Sequence, residues 1–412
     1  MSAFDLAAVF MVLVAAGGWI NAKTLRLPHA VAMLLVGLIG AGGVLALQQV
    51  APDAARGVTD AVKRVDFART VLGWMLGFLL FAGAMQVDLS ELRRRRLSIW
   101  SLATLGVLAS TAIVGAGAWA AARWLGVPLG LPWALVFGAL ISPTDPIAVI
   151  ATVKRGHLPA TLQVVLQGEA LFNDGVGIVV FTALLAFATG AAPDLGRAAL
   201  SVVVQAAGGL ALGVVASLAV IRLMRRVDDF VVEVSLTLAL AMAVYAGAQA
   251  LDLSGPIAVV GAGLLIGDRR AEGAAGETAE AHLRSFWTLV DEVLNGLLFL
   301  LLGLQLAALP LVPGLAGLSV AAVGLVFVAR FLVVLPWGAF LRSRLGHRHA
   351  VPILAWGGLH GALSLALALS VPDGPQRTAI LAAAYAVATF SVAAQGLTFA
   401  PLAAWLAKRE AR

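Results

Sequence analysis

What this chain does not contain narrows it first. There is no cysteine, so a disulfide framework and a thiolate metal site are both excluded. Charge is scarce: 12% of the 412 residues are Asp, Glu, Lys or Arg, against about 25% in an ordinary soluble domain. A chain that is 61% hydrophobic could not cover a water-facing surface with what remains. The alternation of polar and apolar residues that a transmembrane barrel needs is missing too. The first apolar stretch, Phe4 to Ile20, has no basic flank and no convincing cleavage site, so it reads as a first span and not as a removed signal. The net charge of +6 alone would fit a nucleic-acid partner, but its distribution argues against one.

What is present is a series of apolar runs of about 20 residues, each able to cross about 30 Å of hydrocarbon. Only helices and closed barrels satisfy the backbone in lipid, so the fold class is an all-α polytopic membrane protein. The breaks between runs give about 13 transmembrane helices, with boundaries good to about ±2–4 residues. Those used below are the fifth (131–152), sixth (160–189), tenth (281–308), eleventh (313–341) and twelfth (350–371). Basic residues test the count. Lys23 and Arg26, Arg93 to Arg96, Lys154 and Arg155, Arg222 to Arg226, Arg269, Arg270 and Arg284, Arg342 to Arg348, and Lys408 to Arg412 all follow odd-numbered spans. Short loops rich in Lys and Arg stay cytoplasmic, which puts the N-terminus outside and the C-terminus in the cytoplasm. The external loop from Gln48 to Arg69 reads as an interfacial helix, and no soluble C-terminal domain is expected.

A charge near the bilayer centre costs about 2.5–3.5 kcal/mol on insertion scales, so it persists only if paired or used. Asp145, Glu169, Asp174 and Arg330 are such residues. Glu233 and the Asp291–Glu292 pair lie nearer span ends and read as solvated or interfacial carboxylates. Asp145 sits in ISPTDPIAVIA, where Pro143 and Pro146 each remove a backbone donor and disfavour helix in the preceding residue. The fifth helix should open there and expose carbonyls to a cation, as broken transporter helices do. In GEALFND, Glu169 and Asn173 share a helix face while Asp174 is turned roughly 140° from Glu169. One carboxylate can pair with Arg330 while another faces an aqueous cavity. A single arginine cannot neutralise three carboxylates, so at least one must bind a cation or be protonated. Competition of H+ and a metal ion for one carboxylate is antiport chemistry, and hard oxygen ligands suit Na+ or Li+.

These residues carry a resemblance. The chain resembles the NhaP-type bacterial Na+/H+ antiporters of the monovalent cation/proton antiporter family, which includes the eukaryotic Na+/H+ exchangers. It does so through RLPHAVAMLLVGLIG, ISPTDP, GEALFND, FWTLVDEVLNGLLFLLLGLQL, Arg330 and GGLHGALSLALALSVP, in that order. The resemblance implies one transmembrane antiporter domain over 1–412, with an NhaA-like fold of two inverted repeats and broken crossing helices. Repeat one would run over about 4–189, a linker helix over about 197–224, and repeat two over about 230–407. It implies Asp174 as the ion- and proton-binding carboxylate, with Asp145 and Thr144 completing a Na+ site. Glu169 and Arg330 would form a structural ion pair, and Asn173 would orient the site. Electroneutral exchange, a homodimer, no cofactor and a bacterial inner (plasma) membrane location are also implied.

Two positions depart from the pattern. His360 stands where the family motif GGLRGA has arginine, and Gln167 stands where relatives often have Glu. His360 is either a pH-sensitive group that makes activity fall more steeply at high pH, or a neutral histidine hydrogen-bonded in the bundle. The alternatives to Na+/H+ exchange are K+/H+ exchange and a passive cation channel. Intramembrane hydrolysis would need Ser364 and His360, but no oxyanion or metal constellation joins them. The protein is read as a transporter and not an enzyme.

Overall fold

The computed structural model describes residues 3–53, 70–145, 158–190, 195–227, 229–271, 277–305, 314–345 and 349–410. Their regular structure is helical throughout. In chain order the elements are α1 (Ala3–Ile20), α2 (His29–Val50), α3 (Val71–Met85), α4 (Arg96–Leu125), α5 (Leu131–Ile141), α6 (Ala160–Ala188) and α7 (Leu195–Met224). They continue with α8 (Phe230–Ala250), α9 (Gly255–Ala271), α10 (Glu277–Gln305), α11 (Leu315–Leu345), α12 (Ala350–Gly357), α13 (Ala362–Leu369) and α14 (Pro375–Arg409). Among the described residues, 9 of these helices are long and apolar enough to cross a membrane; α3, α5 and α9 are shorter apolar helices. The interfacial helix expected between Gln48 and Arg69 falls mostly outside the described residues.

Local chemistry sets the helix ends. Asp229 caps α8, accepting from the backbone N–H of Val231 at 2.8 Å and Val232 at 3.3 Å, as a helix N-terminus requires. Gly126 ends α4 at φ 68°, and Pro132 opens α5. Asn21 ties the bend between α1 and α2 by donating to Leu27 O and accepting from Leu27 N, both at 2.9 Å. Before α4, Asp88 caps a short helix, Leu89–Arg94. Hydrogen bonds from the Ser90 side chain, then from backbone amides, hold its carboxyl below the ordinary range.

Lipid gives helices no hydrophobic reason to associate, so close packing has to do so. Gly37 on α2 faces Gly303 on α10, where a Cβ on Gly303 would stand 2.7 Å from the Gly37 Cα. Trp287 on α10 is fully buried against Phe81, with ring centroids 4.6 Å apart, and its indole N–H donates to Thr237 Oγ1 at 3.0 Å. Large apolar side chains such as Val203, Val215, Val320 and Val328 are exposed. That surface is stable against hydrocarbon and not against water.

Two interruptions position the site. Helix α5 ends at Ile141, and α12 and α13 are separated by Gly358–Gly361. The breaks meet: Asp145 N–H donates to Leu359 O at 2.7 Å, an isolated antiparallel bridge between the two segments.

One expectation is corrected here. Glu233 is not solvated; it is 3% exposed in the first turn of α8. A helix N-terminus accommodates a carboxylate by its dipole, so nearness to a span end did not imply exposure to water.

Candidate functional site

Helix α6 carries most of the polar side chains. Glu169 points to α11, where its two carboxylate oxygens accept from both terminal nitrogens of Arg330; the Nη2–Oε2 distance is 2.9 Å. Arg330 also donates from Nε and Nη2 to the carbonyl of Leu354, at 3.2 and 3.0 Å. The guanidinium therefore joins α6, α11 and α12 in a buried, bidentate arrangement, the geometry in which arginine–carboxylate pairing is strongest. The Leu354 carbonyl lies in the last turn of α12, where backbone oxygens have no intrahelical donor.

Four residues after Glu169, Asn173 donates from Nδ2 to Thr144 Oγ1 at 2.8 Å, fixing the opened segment after α5 to α6. Asp174 turns elsewhere. It lines a cavity of about 90 Å³ together with Thr144 and Asp145 from the α5 break and Gly361 from the α12–α13 break. That volume holds several waters. The helix geometry thus separates the two α6 carboxylates, one facing an arginine and one the cavity. Gln167 is buried but takes no part in the cavity wall.

His360 is buried beside this crossing, not in the cavity. Its Nδ1 lies 3.1 Å from Pro143 O. A carbonyl can only accept, so Nδ1 carries the hydrogen. Its backbone N–H donates to Ser391 Oγ at 2.9 Å, and Ser391 donates to Gln395 Oε1 at 2.6 Å. His360, Glu169, Asn173 and Arg330 line one small separate cavity.

Three residues of the main cavity were missed or misread from sequence. Asp291, read from sequence as a solvated or interfacial carboxylate, lines it; so does Asn295, whose Nδ2 donates to Asp291 Oδ1 at 3.0 Å. Glu292, the other half of the acidic pair, is exposed. The usable signal was Asp291 and Asn295 at i, i+4 on one face of α10. Ser364, on the first turn of α13, is the third. Among the described residues no group of three His, Asp or Glu side chains is arranged to hold a metal ion. A cation in this cavity would rely on carboxylates, neutral oxygens and water.

A helical membrane chain in which the segment after α5 meets the break between α12 and α13 beside a carboxylate-lined cavity has the architecture of a secondary ion transporter. The chain belongs to the sodium/hydrogen exchanger family, whose transmembrane family model matches residues 9–405. It is 40% identical over 409 residues to the Na(+)/H(+) antiporter NhaP of Pseudomonas aeruginosa, covering 97% of this chain and 96% of that one. It is 32% identical over 386 residues to the Na(+)/H(+) antiporter NhaH of Halobacillus aidingensis, covering 92% of each. Its fold is that of the sodium proton antiporter MjNhaP1 from Methanocaldococcus jannaschii, at a TM-score of 0.74 over 99% of both chains and 22% identity.

Proposed function

We propose that this protein exchanges Na+ for H+ across the membrane by alternating access, with Asp174 as the carboxylate for which the two ions compete. One observation carries the reading: Asp174 and Asp145 share a roughly 90 Å³ cavity at the helix crossing while Arg330 is held by Glu169 and Leu354. Two carboxylates facing one low-dielectric space repel each other. A single Na+ or a single proton relieves that repulsion, and a proton on Asp174 removes the charge that Na+ would bind there. Thr144 and exposed backbone oxygens supply neutral ligands of the hard type that Na+ and Li+ prefer. Asn173 in place of a second titratable aspartate supports a one-for-one, electroneutral exchange.

The wider reading follows the family. Thirteen crossings would be formed by two inverted repeats, about 4–189 and 230–407, around a linker helix at about 197–224. A bundle carrying α5, α6, α12 and α13 would move against a scaffold that pairs with a second copy in the bacterial inner membrane. Expression in everted vesicles with an imposed proton gradient tests the assignment. Na+ or Li+ should dissipate the gradient in wild type and not in Asp174→Asn. A response to K+ alone would replace Na+ with K+ as the cargo. Cation flux that persists without a pH response would make the protein a channel.

A further inference from the structure

One polar side chain in the cavity wall takes no part in the hydrogen bonding that holds the helices together. Ser364 is 1% exposed and lines the cavity with Asp174, yet its Oγ has no hydrogen-bond partner among the described residues. Burying a hydroxyl without a partner is costly, so its retention needs an explanation. In an apolar helix a serine usually escapes the cost by bonding the carbonyl four residues back. Ser142, Ser217, Ser235 and Ser285 all do so here, at 2.6–2.8 Å. Ser364 does not. Four residues back from it lies His360, in the break between α12 and α13 and outside any helix.

Its position directs the hydroxyl to the crossing. Gly361 to Ser364, the entry and first turn of α13, all line the cavity. Residues three apart share a helix face, and side chains lean toward the helix N-terminus, so Ser364 leans back toward Gly361. A Cβ on Gly361 would stand 3.1 Å from Asp145 Cγ, which sets this face of α13 against the opened segment after α5. Asp145 and Asp291, in the same wall, already have interactions of their own; the Ser364 hydroxyl has none among the described residues.

A hydroxyl offers two lone pairs and a hydrogen that rotates to suit its neighbours. It is a hard, neutral oxygen of the kind that suits Na+ and Li+. We propose that Ser364 Oγ is a direct ligand of the cation held at Asp174, supplied by α13 from just beyond the helix break. The assignment rests on the Na+/H+ reading of this cavity and deepens it. The ligands would then come from both α6 and α13, so a bound Na+ ties the two elements together, whereas a proton on Asp174 does not.

Thermal unfolding of the detergent-solubilised protein over Na+ and Tl+ series, with Na+-driven proton flux in proteoliposomes, tests this. Ser364→Ala should need about tenfold more Na+ than wild type for the same rise in Tm and for half-maximal flux, the loss of one hydrogen-bond-strength contact to a charge. Without Na+ it should melt no lower than wild type, because no buried partner loses a bond. Ser364→Cys, in a chain without other cysteines, exchanges a hard ligand for a soft one of similar size. Its affinity for the soft cation Tl+ relative to Na+, read from the Tm series, should rise about tenfold over wild type. A wild-type Na+ dependence in Ser364→Ala, or an unchanged Tl+-to-Na+ ratio in Ser364→Cys, would overturn the assignment. A lower Na+-free Tm in Ser364→Ala would mark the serine as structural and overturn it too. If wild type neither transports Na+ nor gains stability from it, the exchange reading falls and this ligand with it. Where wild type does both and Asp174→Asn does neither, the Ser364 variants decide this inference alone.

Discussion

Arg330 shows at the scale of one residue why a charge can remain in hydrocarbon. Its donors go to both oxygens of Glu169 and to the Leu354 carbonyl, so the side chain leaves little polar capacity unmet. Removing one partner of a buried pair strands the other, at a cost of about 3–5 kcal/mol. Arg330→Leu should therefore lower the detergent unfolding temperature sharply. The double variant Glu169→Leu with Arg330→Leu should be more stable than Arg330→Leu alone, because it buries no orphan charge. Equal stability of the two in a thermal melt would show that the guanidinium matters mainly through Leu354. The residues Glu169, Asn173, Asp174, Asp145 and Arg330 were legible from sequence because polar groups in apolar runs are conspicuous. Asp291 was not, since its sequence neighbour Glu292 is exposed and an adjacent pair reads as one solvated patch.

At the scale of elements, the proline pair around Thr144 and Asp145 announced the opening of the fifth span. The break in the twelfth carries no proline. Its glycines owe their place to close approach: a Cβ on Gly358 would stand 2.7 Å from Arg330 Cζ, and one on Gly361 would stand 3.1 Å from Asp145 Cγ. Gly358→Ala must therefore displace the guanidinium or the α12 end. Gly42, on α2, has nothing within 4 Å of the same position and serves as the control. Gly42→Ala should be neutral or stabilising by up to about 1 kcal/mol, whereas Gly358→Ala should lower both Tm and maximal transport. Transport at the wild-type rate in Gly358→Ala would mean that Arg330 can relax without disturbing the crossing. His360 belongs to the same element and is held by Pro143 O and Ser391. That geometry suits the hydrogen-bonded alternative for this position, and an arginine in its place would add a second guanidinium to the cavity that Arg330 already lines.

At the scale of the molecule, the distribution of Lys and Arg predicts that the N-terminus lies outside and the loop at Arg93 inside. The absence of cysteine makes this easy to probe, because any introduced thiol is the only one. Pro128→Cys, in the exposed turn after α4, should react with a membrane-impermeant thiol reagent added to intact cells. Arg93→Cys should react only after the membrane is opened. The reverse pattern would invert the topology and with it the direction from which the cavity loads.

Composition and apolar run length by themselves determined the helical membrane fold, because hydrocarbon permits so few backbone solutions. Intramembrane carboxylates and Arg330 marked the chemistry for the same reason: lipid makes unpaired charge too costly to keep without use. What only the tertiary structure decided is which groups share a space. The pairing of Asp145 with Leu359 joins residues more than two hundred positions apart in the chain. That contact brings the α12–α13 break to the cavity of Asp174, and the packing of α10, not any local pattern, adds Asp291 to its wall. Helical periodicity says which face a side chain occupies, but only packing says what that face meets.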